Sequence, residues 1–200
     1  MYWIIRLLIF PGAPLLAVLL PGRDSKRKKI RILAVAIVCL LLVTLTVLFP
    51  LENLFVSFPS PEEAFGYCRR GEIVDVVQGE SSCMIVYTNG SDSDYSLMFL
   101  YGNGRQYQLP NAFQLMTLSE EAVASGTFTL KSLKGSEDCY AFGLLITDEV
   151  DAVLTDGCGN ALRSLIKESD TSPRKTLFYY GLLAPHDNVY SILSDGRPLS

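Results

Sequence analysis

Hydrophobic and polar positions divide this chain into two unlike stretches. From Ile32 to Leu51 twenty residues pass without a formal charge, ILAVAIVCLLLVTLTVLFPL, apolar on every side of any helix they form. At about 1.5 Å per residue that length matches a hydrocarbon core of about 30 Å, and the run predicts a transmembrane helix. As a core helix it would need burial on all faces, more than the rest of so short a chain readily supplies. Residues 1–22, MYWIIRLLIFPGAPLLAVLLPG, are also apolar, but Arg6 interrupts them and Pro11, Gly12 and Pro14 break the middle. They fit either a kinked first span, completing a helical hairpin, or an interfacial segment with Tyr2 and Trp3 at headgroup level.

Beyond a tether at 52–59 the pattern changes. Ser60-Pro61-Glu62-Glu63 reads as a helix start, with Ser60 as cap, proline in the first turn and Glu63 closing an S-x-x-E box. A helix over 61–70 would bury Ala64, Phe65 and Cys68, with Arg69 and Arg70 at its end and Gly71 as its stop. From there short β-branched and aromatic runs alternate with turn chemistry: 72–77, 83–88, 95–101, 105–109, 114–118, 127–133, 140–147, 150–155, 176–183 and 189–193. Gln78-Gly79, Asn89-Gly90, Gly102-Asn103-Gly104, Lys134-Gly135 and Asp156-Gly157 punctuate them. Residues 161–167 fit a short helix or a strand. Without helical crossovers, antiparallel pairing is expected. The fold class is mainly β (α+β): one antiparallel meander or sandwich-like domain over 60–200, with a short entrance helix.

Charge sets the direction. Arg23 to Arg31 holds six basic residues and one acid immediately before the apolar run. Basic flanks stay in the cytoplasm, so 23–31 is expected inside and the domain from residue 60 outside the plasma membrane. Residues 1–50 carry net +6 and the other 150 net −10, together the −4 of the whole chain. An acidic body disfavours nucleic acid as a partner and leaves the lipid bilayer as the first one. The stretch after Phe49, PLENLFVSFPSPEE, offers no A-x-A cleavage pattern, so the apolar run is expected to stay as an anchor. Cys39, mid-span behind Val38, is expected to face lipid or a neighbouring helix.

Outside the span lie Cys68, Cys83, Cys139 and Cys158, an even number in a compartment that allows disulfides. A hairpin centred on Asp148 and Glu149 would oppose Cys139 to Cys158, leaving Cys68 for Cys83; buried thiols are the alternative. No cysteine spacing suits zinc, and His186 is the lone histidine, in a loop-like Pro185-His186-Asp187. No phosphate loop, dinucleotide fingerprint, nucleophile elbow or zincin helix occurs, so no cofactor is expected and the chain does not read as an enzyme. Asp92 and Asp94 fit a solvated turn better than a calcium loop, because a strand begins at Tyr95. Asn89-Gly90-Ser91 forms a sequon. The adjacent acids Glu120-Glu121, Glu137-Asp138 and Asp148-Glu149 lie near expected turns, where acids are solvated.

The succession of basic cluster, anchor, SPEEAFGYCRRGEIVDVVQGESSCMIVYTNG, YSLMFLYGNGRQYQLP and TLFYYGLLAPHDNVYSILSDG resembles small membrane-anchored proteins of Gram-positive bacteria. That resemblance implies an extracytoplasmic β-rich module and transfers no site residue. The expected function is a membrane-tethered interaction or sensing module that binds another envelope protein, a peptide or a cell-wall component. Tyr95, Tyr101, Tyr107, Tyr179, Phe178 and Tyr180 are candidates for its contact surface, with about half of strand aromatics expected in the core. A structural subunit of a membrane complex and an envelope hydrolase are the alternatives.

Overall fold

The computed structural model describes residues 33–38, 40, 41, 44, 50, 53, 56–90, 94–102, 104–111, 113–123, 126–147, 153–167, 175–185, 190–194, 197 and 198. The chain forms two compact units, Met1–Val56 and Ser57–Ser200. In the first, residues 33–38, 40, 41 and 44 are helical, and Thr44 Oγ1 donates to the Leu40 carbonyl at 2.8 Å. Leu33, Ile37, Val38, Leu40 and Leu41 are each at least half exposed, Leu40 by 67%. No helix among the described residues is long and apolar enough to cross a membrane. Residues 1–31, Cys39 and much of the 32–51 run lie outside the described residues.

The second unit opens with α1 (Pro61–Cys68). Ser60 caps it by accepting from the Glu63 N–H at 3.2 Å, Pro61 needs no acceptor at the first turn, and the acids Glu62 and Glu63 meet the positive end of the dipole. It ends before Arg69, whose extended backbone still donates to the Phe65 carbonyl. Ala64 and Phe65 are buried, and the Phe65 ring meets Tyr87 edge-on at 4.9 Å.

Among the described residues twelve strands follow: β1 (Glu72–Gln78), β2 (Ser82–Thr88), β3 (Tyr95–Gly102), β4 (Tyr107–Gln108), β5 (Leu115–Val123), β6 (Gly126–Leu133), β7 (Cys139–Thr147), β8 (Leu154–Asp156), β9 (Arg163–Lys167), β10 (Lys175–Leu183), β11 (Ile192–Ser194) and β12 (Arg197–Pro198). All pairings between them are antiparallel. Sheet A is the meander β1-β2-β3-β4, sheet B runs β5-β6-β7-β10-β9, and sheet C runs β12-β11-β8. Residues 161–167 resolve as the bridge at Ala161 and strand β9.

Sheet B is the middle layer. Alternate residues of β7 and β10 point to opposite faces. Tyr140, Phe178 and Tyr180 pack with Val77, Met84, Val86 and Phe99 of sheet A. Cys139, Ala141, Leu177, Tyr179 and Leu183 form a second core with Leu154 and Leu162, against which Ile192 packs. A strand buried on both faces reads as a nearly continuous apolar run, and TLFYYGLL of β10 is one. In β1 an irregularity between Ile73 and Asp75 turns Asp75 to Arg163 and to the Tyr180 hydroxyl, which donates at 2.8 Å.

The expected hairpin between 140–147 and 150–155 does not form. β7 pairs with β6 and β10, with Cys139 opposite Ser132 and Leu183. β8 leaves for sheet C, where Leu154 becomes fully buried. Covering the second face of sheet B outweighs lying beside the strand that precedes it in sequence.

Candidate functional site

The turn joining β1 to β2 and the turn joining β6 to β7 meet at one carboxylate. Asp138 is 6% exposed, and its Oδ1 accepts from the Glu80 N–H at 2.9 Å. Its Oδ2 accepts from the Ser81 N–H at 3.0 Å and from the hydroxyls of Ser82, Ser136 and Ser81 at 2.6, 3.0 and 3.2 Å. Ser82 Oγ also lies 2.9 Å from the Tyr140 hydroxyl. Gly79 leaves room for this clasp: a Cβ there would fall 2.5 Å from the Asp138 carboxyl carbon. Burial pushes the Asp138 carboxyl up, but the bonds from Ser82, Glu80, Ser81 and Ser136 hold it below the usual carboxylate range.

Asp156 plays the same part at the other side. Fully buried, it accepts from the N–H groups of Cys158, Asn160 and Ala184 at 2.9, 2.7 and 3.0 Å and from Asn160 Nδ2 at 2.8 Å. Burial raises its pKa, and these donors, Asn160 foremost, bring it below the ordinary value.

Between the two anchors opens a cleft of about 870 Å³. Its apolar walls include Leu118, Leu183 and Pro185, and Glu80 and Glu137 stand among its polar groups with Asn160 and Tyr190. The Tyr190 hydroxyl donates to the Glu137 carbonyl at 3.1 Å, and burial first, then the neighbouring Cys139, Glu137 and Asp138, push its pKa up. A smaller recess of about 510 Å³ lies beyond Ser81, lined by Tyr101, Gly102, Arg105, Gln106 and Gln108.

General acid chemistry needs a carboxyl that holds a proton near neutrality, and Asp138 and Asp156 are both biased toward the ionised form. A carboxylate so held is also a weaker base than an ordinary aspartate. Among the described residues no three His, Cys, Asp or Glu side chains converge as a metal site.

The aromatic candidates divide. Tyr107 and Tyr179 are buried, Tyr107 donating to Gln78 Oε1 at 2.8 Å and Tyr179 lying 6.4 Å from Phe128, so neither ring is open to solvent. Phe178 and Tyr180 are core as well. Tyr95 is half-buried, stacked on Phe178 at 5.5 Å, and its hydroxyl donates to the Ile166 carbonyl. Tyr101 is half-buried, donates to the Lys134 carbonyl at 2.8 Å and lines the smaller recess.

No disulfide joins Cys68, Cys83, Cys139 or Cys158. Cys139 lies between β6 and β10, while Cys158, exposed, directs its thiol toward the Ala184 and Pro185 carbonyls. Burial lifts Cys139 to about 11. Burial, with Glu62 nearby, lifts Cys83 to about 12. Glu62 lies near Cys83 and Phe65 packs on Tyr87, so the first turn of α1, and not its Cys68 end, is the part nearest Cys83.

Of the adjacent acid pairs, Glu137-Asp138 stands at the cleft. Glu120 is exposed, and the Glu121 side chain, Asp148-Glu149, Asp92 and His186 lie outside the described residues. Asp94 is described and exposed. The two anchoring aspartates were missed as such: both sit in turn-like sequence, Glu137-Asp138 and Asp156-Gly157, and only their distant donors mark them. Comparison with protein-family models, with curated proteins and with solved structures finds nothing that matches this chain.

Proposed function

We propose that the chain is a membrane-anchored interaction or sensing module, with residues 1–51 as its membrane region and residues 60–200 displayed outside the cytoplasm. The observation that carries this reading is the uncharged run from Ile32 to Leu51 directly behind the basic segment Arg23–Arg31. Helical Leu33, Ile37, Leu40 and Leu41, all at least half exposed, support it, since aliphatic side chains open on several sides of a helix favour lipid over water. The working part is the cleft between Asp138 and Asp156, which offers an apolar surface, acidic groups and a backbone braced by two satisfied carboxylates. Binding sites are built in this way, with a few polar groups set in an otherwise apolar wall.

Topology reporters test the anchor. A periplasm- or surface-active reporter fused after Ser200 is expected to be active and a cytosol-only reporter silent, with detergent needed to extract the intact chain. An active cytosolic reporter, or recovery without detergent, would overturn the reading.

A further inference from the structure

On the sheet C side of sheet B, cover is incomplete. Leu154, Leu162 and Ile192 close over β6, β7 and β10, whereas Met116 and Leu118 on β5 remain 43% and 46% exposed. β5 is an edge strand of nine residues, and its outer backbone groups have no strand partner among the described residues. Its register shifts between Thr117 and Ser119, which makes Leu118 the extra residue of a bulge, and Leu118 lines the cleft. The described cleft residues include Glu80, Glu137 and Asp138 and no lysine or arginine, in a body of net charge −10 from residue 51 onward.

An apolar floor, acidic groups of one sign and an open strand edge are the three complements of an extended peptide that alternates basic and apolar residues. Main-chain bonds to the edge supply affinity, and alternate side chains supply selectivity. We propose that β5 and the adjoining cleft dock such a segment of a partner protein, its backbone added alongside β5, an apolar side chain on Leu118 and a lysine or arginine toward Glu137 and Glu80. Resting on the interaction-module reading, the inference names the chemistry of the partner. A bulge and the exposed acid Glu120 discourage a second copy of the same edge, because like charges would face each other near the pairing axis.

The full chain in detergent is titrated with a nine-residue blocked peptide alternating lysine and valine, read by fluorescence anisotropy. Binding is expected to weaken about threefold with either Glu80→Gln or Glu137→Gln, as for partly exposed ion pairs, and by tenfold or more with Leu118→Lys. The same peptide N-methylated on alternate residues, and a glutamate–valine peptide, are expected not to bind. Equal binding of the glutamate peptide, equal binding of the N-methylated one, or indifference to all three substitutions would overturn the proposal. So would a concentration-dependent dimer that Leu118→Lys dissolves, which would give the edge to a second copy. No peptide binding alongside an extracytoplasmic reporter would sink this inference alone, whereas a cytosolic reporter would sink the anchored-module reading whatever the peptide does.

Discussion

Replacing Asp138 with asparagine keeps the shape of the clasp and removes its charge and one acceptor oxygen. Five donors converge on the carboxylate, four of them on Oδ2. The least costly asparagine rotamer keeps its oxygen at the Oδ2 position and turns its NH2 against the Glu80 N–H, leaving that donor without an acceptor. A buried donor so stranded costs about 1–3 kcal/mol, and each surviving bond falls from the charge-assisted range of about 1.5–3 to about 0.5–1.5 kcal/mol. Because the donors share one acceptor the losses do not add, and a total near 3 kcal/mol is expected, a large part of the roughly 5–15 kcal/mol that holds a domain. With an m-value of about 2 kcal/mol per molar urea the midpoint followed by circular dichroism drops by about 1.5 M at pH 7. The gap depends on pH with a definite sign. Asp138 has a folded pKa below its unfolded value of about 3.9, so its stabilisation is fully present above that value and is lost as the pH falls through the folded pKa. Wild type and variant should therefore differ by a constant amount from pH 5 to 7 and converge below pH 4. A difference under 0.5 kcal/mol at pH 7, or one that persists undiminished to pH 2, would refute the account.

Asp156→Asn is expected to cost about 3 kcal/mol by the same measurement, because its donors are N–H groups that cannot turn round as hydroxyls do; with Asn160 reversed, Ala184 N–H or the Cys158 and Asn160 N–H groups still face an NH2. Gly79→Ala should lose about 1–3 kcal/mol in wild type and much less in an Asp138→Ala background, the clash being with that carboxyl; equal losses in both would place the strain elsewhere. In native protein at pH 8 a thiol reagent should label Cys158 first and reach Cys83 and Cys139 only on unfolding, and reducing agent should leave the melting temperature unchanged; prompt labelling of Cys83 would contradict its burial. Tyr180→Phe should destabilise by about 1–2 kcal/mol by taking a donor from Asp75, against less than about 1 kcal/mol for Arg163→Ala, whose side chain is largely in solvent; the reverse order would show the exposed ion pair to be the stronger tie.

Local chemistry was legible. Ser60-Pro61-Glu62-Glu63 starts a helix because capping is settled within four residues, and glycine-marked turns separate most of the strands where their residues demand. What depends on distant partners was not. The strand ending at Asp156 was assigned to the wrong neighbour because turn residues at 148–149 say that the chain reverses, and nothing about which layer it rejoins. Asp138 looks like a solvated turn acid until Ser81 and Ser82, more than fifty residues earlier, close over it. The tyrosines were ambiguous for a related reason: a phenol can be buried wherever one acceptor waits, and Gln78 and Asp75, which receive Tyr107 and Tyr180, are polar residues that sequence patterning assigns to the surface.

The position of β10 bears on how the chain matures. It is inserted between β7 and β9, yet it comes from residues 175–183, after every other strand of that sheet. Until residues 175–183 have left the ribosome, β7 keeps a bare edge and both greasy layers lack a wall. Newly made chains must therefore wait, half assembled and adhesive, for this one strand, and a nonsense mutation near residue 170 would leave a product fit only for aggregation or degradation.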